Sequence, residues 1–292
     1  MMFGTRDEFD YFECASCGCL QIAEIPPNIS DYYPSNYYSF HKPKPGSLEK
    51  WIKKEVAMAR LAGKDMAIGT MLRSLYPGHL RWMTPQTRIN FESSILDVGS
   101  GVGNLIMEMR EYGFQHLTGV DPFIAQDIDN NGVKVLKRNL QDVEGQYDLV
   151  MLHHSFEHMA NPAEVFDKLS GLVQQDGRIL IRIPVADCQA WEKYGINWVE
   201  LDPPRHFFLH TKKSIDILAQ GAGLQVEAVI YDSSNFEIIG SEKWSRDIPS
   251  NSPEDPFTSE EKKAFTKEVE VLNETGRACR ACFYLSVKNG AA

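Results

Sequence analysis

The sequence predicts an α/β fold, a parallel sheet with helices on both faces, and three observations carry that prediction. Residues 95–104 (ILDVGSGVGN) read as a buried strand, a tight turn with Gly99, Gly101 and Gly103, and a helix start at Asn104. Two more short apolar strands follow, at 117–122 (LTGVDP) and 147–153 (YDLVMLH), and helical patterns separate the strands that come after. Asp121 ends the first of these strands about 20 residues after the first glycine, the distance at which an acid meets ribose hydroxyls in βαβ nucleotide sites. Strands and helices that alternate at this length stack as a parallel sheet covered on both sides.

In chain order, residues 1–46 form a Cys- and Tyr-rich segment. Cys14 and Cys17, with Cys19 close by, offer a CxxCG knuckle of two thiolates, whereas a closed zinc site needs four ligands. Free thiols in a partial knuckle are the expectation, with zinc the alternative. Cys279 and Cys282 are the only other CxxC, at the start of a strand-like run where residues three apart face opposite ways. Residues 31–40 (DYYPSNYYSF) are expected to pack their rings over the domain, with a lid over the cleft the sharper reading. Residues 47–92 form a helical lead-in. Ser47 is its candidate N-cap, and Trp51, Ile52, Val56 and Ala59 recur at helical spacing over 47–75.

From residue 93 to 292 the strand–helix pattern repeats. In the first helix Val102, Leu105, Ile106 and Met109 fall on one face. A short strand is expected at 133–136. A helix at 161–175 has Pro162 in its first turn and Gly177 beyond its end. Further strands are expected at 177–183, 224–231 and 281–287, and a helix at 211–221. Two stretches interrupt the pattern: a substrate-side insertion at 185–210 and a polar insertion at 241–276, the latter holding a helix at 259–272.

Bulk properties exclude several classes. A net charge of −10 argues against a general nucleic-acid or anionic-membrane surface. No apolar run approaches the roughly 20 residues that span a bilayer, and the first residues (MMFGTRDEFD) lack the basic and apolar parts of a signal peptide. A cytoplasmic setting is the expectation, where six cysteines are thiols or ligands in preference to disulfides. Nothing in the sequence fixes an oligomeric state.

The turn is GxGxG and not GxGxxG, and Asp97 precedes it by two residues. A carboxylate there repels a pyrophosphate but suits a cationic amino group, which turns the reading away from a dinucleotide. The missing GxGxxG turn argues against a nicotinamide-dependent oxidoreductase as well. The ordered series ILDVGSGVGN, LTGVDP, YDLVMLHHSFEHMANP and GRILIRIP resembles class I S-adenosylmethionine-dependent methyltransferases over residues 93–184, and the remainder more loosely. The Glu157-His158 pair is similar to small-molecule methyltransferases of the ubiquinone-biosynthesis type. A closer likeness is to bacterial methyltransferases of cell-envelope saccharide clusters. These carry a CxxCG segment, a Tyr-rich segment and a Trp…Pro-Arg-His motif, here 14–18, 32–40 and 198–208. In that family another cysteine pair usually precedes the first, so the chain is expected to begin where that half would end.

The resemblance implies a Rossmann-like sheet of seven strands with the last antiparallel and no internal repeat. It implies that Asp97 and the backbone of Gly99 and Gly101, within the turn that Gly103 completes, hold the methionine part of S-adenosylmethionine, the product being S-adenosylhomocysteine. Asp121 takes the ribose, Pro122 or Phe123 flanks the adenine, and Asn139 with Leu140 reads its edge. The family more often has Asp at the place of Asn139. The implied acceptor is a small molecule, most plausibly a sugar or sugar-nucleotide of envelope polysaccharide, with a quinone-type pathway or a non-catalytic binding protein as alternatives. Methyl transfer to an alcohol needs a base, and His153, His154, His158 and His206 are the histidines in reach. His206 is the first candidate and His154, which also lies at the cofactor, the second. Tyr194, Trp198, Arg205 and His206 together offer aromatic faces and a cation for a saccharide or phosphate.

Overall fold

The structure is a computed structural model that describes residues 6–33, 47–61, 81–250 and 252–288. Most of the Tyr-rich stretch, and residues 62–75 of the expected lead-in helix, lie outside the described residues. The N-terminal segment gives β1 (Tyr11–Glu13) and β2 (Leu20–Ile22) and is followed by helix α1 (Ser47–Leu61). Val56, Ala57 and Ala59 of α1 are buried, but Trp51 is exposed. Ile52 and Val56 stack one turn apart, which leaves Trp51 about 100° round the helix from that face.

The central unit runs β3 (Ser94–Val98), α2 (Asn104–Tyr112), β4 (His116–Val120), β5 (Ile128–Asn130), β6 (Val133–Leu136) and β7 (Tyr147–His153). It continues through α3 (Pro162–Leu172), β8 (Val173–Pro184), α4 (Gln189–Tyr194), β9 (Phe208–Leu209) and α5 (Lys212–Gly221). It closes with β10 (Leu224–Tyr231), α6 (Phe236–Ser245), α7 (Ser259–Thr275) and β11 (Arg280–Val287).

The main sheet has the order β10-β11-β8-β7-β3-β4-β6-β5. β3, β4, β6, β7 and β8 are parallel, and β11 lies antiparallel between β8 and β10. This is a Rossmann-like fold. It has eight strands where seven were expected, because β5 doubles back along β6 as an antiparallel edge hairpin. β1, β2 and β9 form a separate three-stranded sheet, so the N-terminal segment is stitched to the stretch after β8.

The period-2 alternation of the strands sorts the core into two layers. Leu96, Val98, Val150, Leu152, Ile179 and Ile181 meet Phe166, Leu169 and Ile215 from α3 and α5 on one face. Ile95, Leu149, Met151, Leu180 and Tyr284 meet Val56, Ile106 and Met109 from α1 and α2 on the other. Two boundaries depart from the sequence reading. Helix α3 stops at Leu172 rather than near 175, because Val173 is buried and pairs in extended form with Tyr147. Gly177 is not a helix stop. A Cβ there would meet the carbonyl oxygens of Asp148 at 2.9 Å and Tyr147 at 3.0 Å, so β8 needs glycine to pass its neighbour. The helix at α6 adds an element that the apolar pattern did not signal.

Candidate functional site

The glycine turn sits where β3 gives way to α2. Gly99, Gly101 and Gly103 all have positive φ, at 73°, 54° and 82°. Gly99 has a second reason to be glycine: a Cβ would lie 2.4 Å from the Ser155 Cβ. Ser155 is fixed there by donating to the carbonyl of Val98 at 2.7 Å. Asp121 braces the turn from the end of β4. Its carboxylate accepts from the Gly101 amide at 2.9 Å and from the Phe123 amide at 2.8 Å. Asp97 is 3% exposed, and burial, then the nearby Asp121, push its carboxyl up to about 8. A buried acid in that state lowers its free energy by meeting a cation. The amino group of S-adenosylmethionine is of that kind, so the turn and its two acids fit the cofactor.

The alternation that builds the core also assembles the site. Asp97, Asp121, His153 and Arg182 follow Ile95, Leu117, Met151 and Leu180 by two or four residues, so they continue the same face beyond the core. β11 runs the other way, which brings its first residue, Arg280, to the same edge. His153 and Arg182 are direct neighbours across the β7–β8 pairing. In an open parallel sheet the ligand site lies outside the carboxyl ends of the strands. There the structure has a cavity of about 450 Å3. Its wall includes Trp82, Leu105 from the first turn of α2, His153, Arg182, Asp232 and Arg280, with further side chains from α7.

An ion network stiffens the far wall. Asp232, 2% exposed, accepts from Arg182 Nε at 2.6 Å and from Arg280 Nε at 3.1 Å. Arg280 Nη1 lies 3.1 Å from Glu237, which is fully buried. Buried charges of this kind hold geometry more than they add stability, and breaking one pair strands the other charges. The charged residues in GRILIRIP and CRACFYLSV were the available signal for this wall, since Arg182 and Arg280 interrupt otherwise apolar strands. Trp82 and Asp232 carried no such signal.

The remaining expected site residues are distributed as follows. Pro122 and Phe123 follow Asp121, and Phe123 is 83% exposed beside the turn. Asn139 is exposed after β6, whereas the Leu140 side chain belongs to the core. His154 adopts a left-handed φ of 51°. Its Nε2 accepts from Arg182 at 2.9 Å, and Nδ1 stands 3.5 Å from Glu157. Burial and the Arg182 charge push this imidazole well below its ordinary value, so it is neutral with its lone pair occupied.

Trp198 has no exposed surface and packs with Leu20, Cys188 and Leu209 in a third apolar cluster. Tyr194 donates to Glu242 at 2.9 Å. Arg205 pairs with Asp202. His206 is 6% exposed, with Nδ1 2.6 Å from the Glu200 carbonyl, and burial pushes it down to about 3. None of these four lines the cavity. Trp198 fills the core of the insertion beneath the N-terminal sheet, and Tyr194 is half-buried against the same cluster. Cys14 and Cys17 are partly exposed in that sheet's turn, and amides of Cys17 and Ser16 hold the Cys14 thiol below its usual value. Cys19 is buried with Sγ 3.8 Å from His210 Nδ1. Cys279 and Cys282 lie in different core clusters.

Among the described residues no helix is long and apolar enough to cross a membrane. A family model described as a methyltransferase domain matches residues 71–229. The chain is 30% identical to a ubiquinone biosynthesis O-methyltransferase of Aeromonas salmonicida, over 38% of this chain and 51% of that protein. It is 31% identical to the human EEF1A lysine methyltransferase 2 over 22% of this chain and 27% of that protein. The match thus spans about half the first relative's length and about a quarter of the second's. Among solved structures, an O-methyltransferase of a Brevibacillus brevis polyketide synthase, in complex with S-adenosylhomocysteine, is 14% identical. It covers 85% of this chain and 82% of its own, at a TM-score of 0.46. The family match covers more than half of the sequence and contains the glycine turn, both acids and the first six strands of the main sheet. On that match, the chain belongs to the methyltransferase-domain family.

Proposed function

We propose that the protein transfers a methyl group from S-adenosylmethionine to a small molecule held in the 450 Å3 cavity. One observation carries the reading: Leu105, on the helix that opens from the glycine turn, is also part of the cavity wall. The nucleoside site and the acceptor site therefore adjoin, as an in-line displacement requires. The cofactor supplies an electrophilic methyl on a sulfonium. Asp97 holds the amino group, Asp121 meets the ribose hydroxyls while keeping the turn in shape, and Phe123 covers the adenine. Arg182, fixed by Asp232, orients the acceptor. His153, held edge-on against Trp82 with ring centroids 4.7 Å apart, takes the acceptor's proton. It is preferred to His154 and His206 because it faces the cavity, whereas His154 spends its lone pair on Arg182 and His206 lies elsewhere.

The acceptor class we favour is a sugar or sugar-nucleotide. Hydroxyl, amide, carboxylate and guanidinium groups line the cavity beside Trp82, Leu105 and Val269, and these polar groups suit a polyhydroxylated ring better than an apolar quinone. The Aeromonas relative favours the second reading, a quinone-type acceptor. Calorimetry with S-adenosylhomocysteine tests the cofactor, and absence of binding overturns the whole reading. Transfer of labelled methyl to a panel of sugar-nucleotides and catechols decides between the acceptors. His153→Asn is expected to lower kcat by about 100-fold with S-adenosylhomocysteine affinity unchanged; unchanged kcat removes the base.

A further inference from the structure

A second group of chemically capable side chains lies outside the cavity, between the turn that follows β7 and the stretch before β9. Glu157 is fully buried, and neither carboxylate oxygen has a hydrogen-bond partner. The imidazole of His154 is 3.5 Å away, outside bonding geometry. A carboxylate taken out of water with nothing to accept from is costly unless a cation or a proton completes it. His158 and His206 stand beside it, their ring centroids 4.9 Å apart. One ligand atom from each of Glu157, His158 and His206 falls within 4.8 Å of the other two.

Both imidazoles are already set up by their outer contacts. His158 Nδ1 is 2.7 Å from the carbonyl of Arg205, and His206 Nδ1 is 2.6 Å from the carbonyl of Glu200. A carbonyl only accepts, so each Nδ1 carries the proton and each Nε2 keeps its lone pair. Ring nitrogens fixed in this way by a backbone carbonyl are the usual outer support of metal-bound histidines. Two further acids, Glu200 and Asp202, are buried close by, the second paired with Arg205.

We propose that Glu157, His158 and His206 bind a first-row divalent transition metal, with zinc the expected ion. Two imidazoles and one carboxylate select zinc or its neighbours over magnesium and calcium, which prefer oxygen. Three protein ligands leave a fourth position for water or an oxygen donor. The site is separate from the cysteine knuckle and shares no residue with the cavity wall. It does not depend on the methyl-transfer reading.

The test uses the whole protein stripped of metal and titrated with Zn2+ alone against a chromophoric chelator, and separately with Co2+. The expected result is one equivalent bound with Kd below about 1 µM. That binding is retained in Cys14→Ser/Cys17→Ser and weakened about 100-fold or more in Glu157→Gln and in His206→Gln. Co2+ in the unmutated protein should give visible bands of nitrogen and oxygen ligation with no thiolate charge-transfer band, a readout that stands even where a variant does not fold. Zn2+ binding lost in the cysteine variant overturns the site. So does a thiolate band, equal affinity in Glu157→Gln, or no binding at micromolar concentrations.

Discussion

The half of the carboxyl edge where we propose the cofactor is drawn from residues 97–123, one strand–turn–helix–strand passage, whereas the proposed acceptor half collects Trp82, His153, Arg182, Asp232 and Arg280 from five separate parts of the chain. The first half works through backbone. Glycines give positive φ, amides point at Asp121, and only two side chains need to be acids. The second works through side chains locked in a buried ion network. A backbone site is carried by a short motif, whereas a side-chain site depends on how distant strands are registered. The two halves should therefore fail differently when perturbed.

The largest effect is expected in the acceptor half. Arg280→Met leaves Asp232 and Glu237 buried without their shared cation, and should destabilise the fold by about 3–5 kcal/mol in urea titrations. Stability unchanged within error would mean the network is not structural. Asp97→Asn should leave unfolding nearly unaltered and weaken S-adenosylhomocysteine by about 2–3 kcal/mol in calorimetry, since a charged partner is lost. If it unfolds the protein instead, the contrast between the halves breaks.

The pH dependence is specific to the cofactor half. With its carboxyl near 8, Asp97 is mostly protonated at neutral pH, and a bound ammonium favours the ionised form. Binding then releases a proton. Affinity should rise by about tenfold per unit towards pH 8 and level off above it. Calorimetric heats that vary with buffer ionisation enthalpy measure that proton. The sign for the free fold is opposite. A carboxyl raised above its unfolded value contributes least once ionised, so its share of stability declines from pH 4 to 8. The smallest effect is expected for Phe123→Ala, about 1 kcal/mol of cofactor affinity with no change in stability, because the ring is 83% exposed.

The difference between the halves also explains what could be read in advance. The glycine turn, Asp97 and Asp121 were legible because their geometry is local. The strand–helix alternation was legible because burial imposes a period of two or 3.6 on nearby residues. The placement of Tyr194 and Trp198 was not legible, since the same aromatic spacing serves a binding face and a packed insertion. Arg205 and His206 lie in that same insertion, outside the cavity wall. Helix α3 was read too long because Val173 fits a helical face and a strand alike until Tyr147 pairs with it.

By itself, then, the sequence determined the sheet, the turn at its centre and the two acids around that turn, since steric demands on neighbouring residues leave few alternatives. Only the tertiary structure decided which histidine faces the cavity and that Arg182, Asp232 and Arg280 meet. It also decided that the N-terminal strands cover the stretch before β9. Those pairings cross between 48 and 189 positions of chain, and no local preference encodes a contact whose partner is set by strand order.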